Sequence, residues 1–401
     1  MIAEGDQMKP KERVLLALNH KEPDKVPIDL GGTICSTMTS VANKKLKDYL
    51  GIKKAGEIVS HPVLDTVVPV DEILRMFEVD IRAIRLKGPT PESEAAKEVK
   101  GFSGSSSDFA NMPSGYEFDD EYGTRWRKAG YDYAPVGFPL AGLDIPDLKK
   151  FKWPNPYNPG RVKGLKQEAK ELYESSDFAI TSDIMCGGPF EQSLWLRGYQ
   201  NFMEDLYLNP KFASALLDKI TEIDMGFWDT QLSNIGEYVD IVCQGDDLGI
   251  QTSLYIDPEM YRKFIKPCHK RLFSFIHSKT KAKVWLHSCG SIYSILPDLI
   301  EIGIEIINPV QCSACNMELS RLKKEFGSEI TFWGGAINVQ TLPFKNVSEI
   351  EAEAKNAIQV MAPGGGFVFA ATHNILPETR GEILYNAYMT AVKNRDYKNM
   401  K

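Results

Sequence analysis

A histidine and a cysteine one residue apart form the most chemically suggestive pair in this chain of 401 residues. His287 and Cys289 stand at the end of the apolar run KVWLHSCG. If that run is a β-strand, side chains two positions apart point to the same side. Imidazole nitrogen and thiolate sulfur are preferred ligands of zinc. The pair therefore predicts half of a zinc site, although a His-x-Cys pair at a strand end can also be purely structural.

A zinc site needs at least one more ligand from elsewhere in the chain. His373, at the end of the run FVFAATH, is the first choice. Asp246 or Asp247 comes next, followed by Cys312 or Cys315 of an isolated Cys-x-x-Cys. Three protein ligands would leave one position open for a substrate atom, which is typical of catalytic rather than structural zinc.

The elements that must position these residues are eight short runs rich in Val, Ile and Phe, separated by segments with helical patterns. Runs without strict polar alternation are typical of parallel strands buried on both faces. Strands alternating with helices predict a parallel sheet, and eight such units predict an α/β fold that closes into a (β/α)8 (TIM) barrel. The runs are VPIDL (26–30), DIRAIRL (80–86), FAITSD (178–183), YVDIVCQGDD (238–247), KVWLHSCG (283–290), EIINPVQ (305–311), ITFWGGAIN (330–338) and FVFAATH (367–373).

Polar and reactive side chains collect at the ends of the later runs, where the catalytic groups of such barrels lie. We predict that four of them are catalytic and lie beside the metal ligands: Asp246, Asp247, Gln311 and Asn338. Asp183 is ambiguous, because it could act in catalysis or hold the turn at Gly187-Gly188-Pro189.

The other cysteines are interpreted as structural. Cys35, Cys186, Cys243 and Cys268 are most simply small core residues, and Cys312 and Cys315 are interpreted as buried or redox-idle thiols when they do not bind metal. Seven cysteines scattered through a long chain make a disulfide framework improbable, which favours the cytoplasm.

One long stretch does not fit the repeating pattern. Residues 87–157 are rich in Gly, Ser, Asp, Tyr and Pro, and the alternation from Tyr116 to Tyr133 predicts a β-hairpin inserted after the second strand. We find no linker around it, so residues 1–401 are predicted to form one domain, with the insertion covering the barrel mouth.

Bulk properties exclude several classes of protein. The net charge of −7 argues against a nucleic-acid binder, which would carry a basic face. The absence of any run of 18 apolar residues argues against a membrane-spanning helix. We therefore expect neither nucleic acid nor a membrane among the partners.

Five segments in order along the chain resemble the uroporphyrinogen decarboxylase (URO-D) superfamily. They are KPKERVLLALNHKEPDKVPIDL, YIDPEMYRKFIKPCHKRLF, WLHSCGSI, FWGGAINVQTLPF and APGGGFVFAATHNILPET. This superfamily also contains zinc methyltransferases that work with corrinoid proteins, and its fold is a (β/α)8 barrel. The resemblance spans nearly the whole chain and agrees with the strand count.

Within the superfamily, the resemblance favours the methyltransferase branch. Decarboxylases carry an arginine-rich motif after the first strand to hold carboxylates, whereas this chain has no arginine between Arg13 and Arg75. His287 and Cys289 match the zinc pair of the methyltransferases. Those enzymes add a later cysteine near the last strand, where this chain has His373.

The resemblance implies a zinc-dependent transfer of a methyl group between a small substrate (a methyl ether, methylamine or thiol) and a corrinoid. No Asp-x-His-x-x-Gly corrinoid motif occurs in the chain, so the corrinoid is expected on a separate partner protein. Two alternatives stay open: a metal-free decarboxylase of a tetrapyrrole or another carboxylated ring, and a non-enzymatic carrier of a corrinoid or tetrapyrrole.

Overall fold

The computed structural model describes residues 8–61, 63–90, 112–130, 132–185 and 187–400. Its strands are β1 (Met38–Thr39), β2 (Ile58–His61), β3 (Thr66–Val68), β4 (Ile81–Ile84), β5 (Glu117–Asp119), β6 (Arg125–Ala129), β7 (Asp132–Gly137), β8 (Ala179–Met185), β9 (Ile241–Gly245), β10 (Lys283–His287), β11 (Ile306–Asn308), β12 (Thr331–Trp333) and β13 (Phe367–Val368).

The α-helices of the described residues are α1 (Pro10–Leu18), α2 (Ser40–Leu50), α3 (Asp71–Met76), α4 (Ile145–Leu148), α5 (Leu165–Ser175), α6 (Pro189–Arg197), α7 (Tyr199–Leu208), α8 (Pro210–Ile235), α9 (Pro258–Met260), α10 (Lys266–Lys279), α11 (Leu296–Glu301), α12 (Leu319–Phe326), α13 (Val347–Met361) and α14 (Gly381–Asn394). A π-helical segment, Tyr261–Ile265, joins α9 to α10.

Seven of the eight predicted strands form one parallel sheet, in the order β13-β12-β11-β10-β9-β8-β4. Consecutive strands are therefore neighbours, as the repeating strand–helix pattern predicts. The register places His287 at the end of β10 between Gly245 of β9 and Asn308 of β11. The carboxyl ends of these three strands thus meet at one edge, where the predicted site lies.

The first predicted strand, residues 26–30, occupies the remaining position between the two edge strands without forming a regular ladder. It makes one parallel bridge, between Ile28 and Phe369, and Asp80 N–H donates to the Ile28 carbonyl at 2.9 Å. Pro27 has no N–H to donate, and the Ile28 N–H donates to the Asp80 carboxylate at 2.9 Å instead of to a neighbouring strand. The α/β barrel fold is confirmed, and this side-chain bond explains why its first strand is irregular.

Helix boundaries agree with the capping signals in the sequence. The Asp257 carboxylate accepts a hydrogen bond from Glu259 N–H at 2.8 Å where α9 begins, and Asn346 forms a capping box with Glu349 at the start of α13. In the described part of the chain, no helix combines the length and apolar character needed to cross a bilayer.

The predicted insertion contains a three-stranded antiparallel sheet, β5-β6-β7, which includes the predicted hairpin and extends it by one strand. Residues 91–111 of the insertion lie outside the described residues. The sheet packs against α6, since the Trp126 ring contacts the Trp195 ring at a centroid distance of 5.1 Å. Its contact with the barrel therefore runs through the helix that follows β8.

The inside of the barrel is closed by large side chains. Trp285 of β10 and Trp333 of β12 are completely buried and share one cluster with Cys243 of β9 and Cys35 of the loop after residues 26–30. The barrel is thus a packed core rather than a pore, as is usual for the fold. The candidate site lies above this layer, toward the carboxyl ends of the strands.

Candidate metal centre

His287 is held in one ring orientation by Asn308. The Asn308 side-chain amide donates to the Trp333 carbonyl at 2.9 Å, so its oxygen faces the His287 Nδ1 atom, 2.7 Å away. An amide oxygen only accepts, and Nδ1 must therefore carry the proton. In the neutral ring this leaves a lone pair on Nε2, the atom that could bind a metal.

The His287 Nε2 atom faces Cys289 and Asp247. It lies 3.4 Å from the Cys289 sulfur and 3.8 Å from the Asp247 Oδ1 atom. Asp247 Oδ1 also accepts a hydrogen bond from the Cys289 backbone N–H at 2.8 Å. These three ligand atoms lie within 4.8 Å of one another, and they form the first of two candidate metal groups.

Close packing of two glycines fixes the backbone around Cys289. Gly290 has a φ of +82°, and a Cβ added there would lie 2.4 Å from the Gly249 carbonyl carbon. The loops after β9 and β10 therefore touch backbone to backbone, which only glycine permits. Gln311 adds a third loop, because its side-chain oxygen accepts from Gly290 N–H at 2.7 Å.

The second candidate metal group contains His287, His373 and Cys35, whose ligand atoms also lie within 4.8 Å of one another. The His287 and His373 rings are 5.3 Å apart between centroids. The interpretation of Cys35 as only a small core residue missed this proximity. Cys35 is buried, but its sulfur faces the two histidines rather than only apolar neighbours.

The two groups share His287 and differ in their other members. Cys289 belongs to the first group and His373 to the second, so the predicted combination of His287, Cys289 and His373 is divided between them. With zinc–ligand bonds of about 2.0–2.3 Å, ligands of a tetrahedral site lie about 3.5 Å apart. The separations of 3.4 and 3.8 Å in the first group fit zinc without large rearrangement.

Burial favours the neutral forms of Cys289 and His373 in the absence of a cation. Burial, reinforced by the charge of Asp247, raises the pKa of Cys289 well above its usual range. Burial, together with His287, lowers the pKa of His373 to about 3. A neutral imidazole can bind a metal directly, whereas the thiol needs a nearby cation to lose its proton.

Asp246 lies next to Asp247 in sequence but serves a different part of the structure. Its two oxygens accept hydrogen bonds from the backbone N–H groups of Phe190 and Glu191 at the start of α6, at 3.1 and 2.7 Å. His269 Nε2 lies 2.7 Å from Oδ2 as well. Asp246 therefore supplies the negative charge at this helix N-terminus, and a side chain at Gly188 would collide with it.

The remaining predicted residues are distributed around the mouth. Asn338 caps its own loop, since its side-chain oxygen accepts from Gln340 N–H at 3.0 Å. Asp183 holds the loop after the first strand. Its Oδ1 atom accepts from Ile34 N–H at 3.0 Å, and its Oδ2 atom lies 2.9 Å from Arg85 Nε.

Sequence reasoning missed three residues of this site. Cys35 follows the first predicted strand by five positions, and Asn308 lies within a strand run, where an amide has no distinctive pattern. Glu191 stands in the first turn of α6. Burial, with Asp247 and Asp246 nearby, raises its pKa well above the usual range. The available signals were the carboxyl end of β11 for Asn308 and the carboxyl end of β8 for Glu191.

A family model described as uroporphyrinogen decarboxylase (URO-D) matches residues 137–394, more than half of the chain. The chain belongs to the URO-D family. The resemblance noted in the sequence is thereby confirmed, and His287, Cys289 and His373 all lie within the matched part. Cys35 lies outside it.

Two methyltransferases of Methanosarcina mazei are similar to this URO-D family chain. A curated relative, "Methylated-thiol--coenzyme M methyltransferase", is 24% identical over 168 residues, which are 42% of this chain and 43% of the relative. The match thus spans less than half of that relative's length. A solved structure, "methyltransferase from Methanosarcina mazei", aligns over 96% of this chain and 99% of its own, with a TM-score of 0.61 and 19% identity. It supports the barrel fold.

Proposed function

We propose that this URO-D family member is a zinc-dependent methyltransferase that moves a methyl group between a small substrate and a separate corrinoid protein. The observation that carries the proposal is the convergence of the His287 nitrogen, the Cys289 sulfur and the Asp247 oxygen at the barrel mouth. Nitrogen, sulfur and oxygen donors in this number suit zinc with a position left open for substrate. The activity named for the curated relative is in keeping with this reaction.

In this proposal His287, Cys289 and Asp247 hold the metal. The sequence favoured His373 as the third ligand and Asp247 as the next choice. The 3.8 Å separation of Asp247 Oδ1 from His287 Nε2 supports Asp247 for the first group. Zinc at this position would keep a thiol substrate deprotonated or polarise the oxygen of a methyl ether.

The neighbouring residues position these ligands. Asn308 fixes the proton of His287 on Nδ1, and Gln311 holds the loop of Cys289 through Gly290. Asp246 anchors α6 and so places Glu191 beside Asp247. Asn338, on the loop after β12, remains a candidate for contact with substrate rather than with the metal. The reduced thiols of the site suit a cytoplasmic enzyme.

The test combines metal analysis with a methyl-transfer assay. Protein purified without chelator should contain about one zinc per chain, and His287→Ala and Cys289→Ala should lose it together with activity. Free methylcobalamin with a thiol acceptor tests one direction, and reduced cobalamin with a methyl ether or methylamine tests the other. Cys315→Ala, a matched control in an exposed mouth thiol, should keep both metal and activity.

Two results would overturn the proposal. If metal analysis finds no transition metal in the wild-type protein, zinc-dependent methyl transfer is excluded. Release of carbon dioxide from uroporphyrinogen, unaffected by Cys289→Ala, would instead establish the decarboxylase alternative. Against that alternative, Arg85 at the end of β4 already pairs with the Asp183 carboxylate.

A further inference from the structure

A further histidine, His269 of α10, lies behind the metal centre. It is completely buried, and its Nε2 atom lies 2.7 Å from the Asp246 Oδ2 atom. On the other side of the ring, Nδ1 lies 3.3 Å from the Tyr261 hydroxyl. Because a carboxylate accepts hydrogen bonds, Nε2 carries a proton, and in the neutral ring Nδ1 can accept from the hydroxyl. Tyr261, His269 and Asp246 therefore form a buried chain that ends directly after β9.

The helix that carries His269 is irregular where this chain begins. Tyr261 is the first residue of the π-helical segment Tyr261–Ile265, and His269 lies near the start of α10. Short π-helical segments are rare and occur frequently at functional sites. The His269 ring also packs against the Phe273 ring at a centroid distance of 5.2 Å. Contacts within one helical region thus hold the ring from the side away from Asp246.

Asp246 connects this chain to the metal centre through its backbone. Its N–H donates to the His287 carbonyl at 2.9 Å, and the next residue, Asp247, supplies an oxygen to the first candidate metal group. The Asp246 carboxylate accepts from two backbone N–H groups of α6 and from His269. Of these three donors, only His269 is a side chain, and it is therefore the donor that a substitution removes.

Burial makes the bond from His269 to Asp246 important. Asp246 has no exposed surface, and a buried carboxylate is costly unless it is hydrogen-bonded. Other acidic side chains are close to it: burial raises the pKa of Asp224 and of Glu191, and the charge of Asp246 contributes to both shifts. Without His269, like charges would favour movement of the Asp246 carboxylate, and the peptide that joins it to Asp247 would move with it.

We propose that His269 is a positioning residue of the metal centre, which holds the Asp246 carboxylate and so fixes the strand end that carries Asp247. The inference rests on the proposed function, because it concerns the metal assigned there. His269 acts through Asp246 and contacts none of the assigned ligand atoms. Tyr261 in turn holds the His269 ring through its hydroxyl.

Three substitutions at His269 separate hydrogen bonding from packing. In His269→Gln the amide nitrogen can take the place of Nε2 and keep the bond to Asp246. In His269→Asn the shorter amide matches the position of Nδ1 and faces Tyr261 instead. His269→Leu fills the space without a hydrogen bond. His277→Leu, at an exposed histidine of the same helix, is the matched control.

Zinc affinity of the full chain, measured in competition with a chelator, tests the proposal. It should fall about tenfold in His269→Asn and His269→Leu, at the lower end of the range for partners of metal ligands. It should stay near the wild-type value in His269→Gln and His277→Leu. In protein loaded with cobalt(II) instead of zinc, the visible absorption should change in the same two variants, because it depends on the geometry of the ligands.

Rescue by glutamine is the deciding result, because a histidine needed only for packing would not be rescued in metal affinity. Equal affinities in wild type and His269→Asn, or equal losses in His269→Gln and His269→Asn, overturn the positioning role and leave the methyltransferase proposal intact. A wild-type protein that binds no zinc overturns both. If His269→Leu does not fold, the glutamine and asparagine variants still decide the question.

Discussion

The two ends of the barrel handle charge in opposite ways. At the amino ends of the strands, buried Asp80 lies 2.6 Å from Arg13 and 2.9 Å from Arg395, so each buried charge faces an opposite one. At the carboxyl ends, a second imidazole, two thiols and the Asp247 carboxylate gather around His287. In the Asp80 network, protein groups alone balance the buried charges. The groups around His287 are instead metal-ligand donors, which suit an added cation.

The difference indicates which cluster stabilises the fold and which serves chemistry. Burying ionised groups is costly unless their partners are close, and the Asp80 network meets that condition with protein groups alone. A cluster of metal-ligand side chains without a bound cation contributes little to the stability of the fold. We therefore expect substitutions at the two ends to have separable effects.

The largest effect on stability is expected at the amino end. Asp80→Asn should lower the free energy of unfolding by about 3–5 kcal/mol, because it leaves two buried arginines without their shared carboxylate. Urea titration measures the change, and zinc content of the folded fraction should stay at the wild-type value. Asp177→Asn, in an exposed pair with Lys9, should change stability far less. Equal losses in the two variants would contradict the assigned role of Asp80.

A smaller effect, on metal affinity, is expected at Asn308. Asn308→Leu removes the acceptor for His287 Nδ1–H, and zinc affinity should fall about 10–100-fold, as is typical when the partner of a ligating histidine is lost. Asn308→Asp keeps an acceptor and should lose less. Competition with a chelator measures both variants. An unchanged affinity in Asn308→Leu would show that another group orients His287.

The smallest expected effect is on the pH dependence of stability. It concerns His61 of β2, a buried histidine that belongs to neither candidate metal group. Burial, together with Arg85, lowers the pKa of His61 to about 4. Between pH 6.5 and 4 the unfolded chain binds the proton that the folded protein excludes, so stability falls as the pH falls. At pH 5 this loss is about 2 kcal/mol relative to pH 7.

His61→Gln should reduce that loss between pH 7 and 5, as measured by urea unfolding at both values. His277→Gln, at an exposed histidine of α10, should retain the wild-type decrease. Identical pH dependence in wild type and His61→Gln would show that burial of this imidazole is not the cause. Metal-free protein is used for all three, so that titration of the ligands is the same in each.

Strand periodicity was enough to predict the barrel, because buried parallel strands separated by helices leave few other arrangements. It also indicated His287, Cys289 and Asp247, since they stand at strand ends. It failed to separate Asp246 from Asp247. Neighbouring residues at the end of a strand face opposite sides, and only the structure shows that Asp246 turns toward α6 while Asp247 turns toward His287.

Cys35 could not be found from strand ends, because it lies five residues beyond the first predicted strand, in a loop that turns back onto the barrel mouth. Gly31, with a φ of +95°, and the bond between Gly31 and Ser36 fold the chain onto the mouth. Asn308 was hidden for another reason: its role depends on a carbonyl of the next strand, at Trp333. Contacts between distant loops and neighbouring strands depend on register, which composition does not encode.

The irregular junction at residues 26–30 bears on the order in which the protein matures. Arg395 donates to the Val26 carbonyl at 3.2 Å and to Asp80, so a residue close to the end of α14 fastens the first segment of the barrel to the second. A nascent chain can pair β8, β9 and β10 while still emerging from the ribosome, but this clasp needs the C-terminal residues. Because the second candidate metal group joins Cys35 to His373, that group would form only once the barrel is finished.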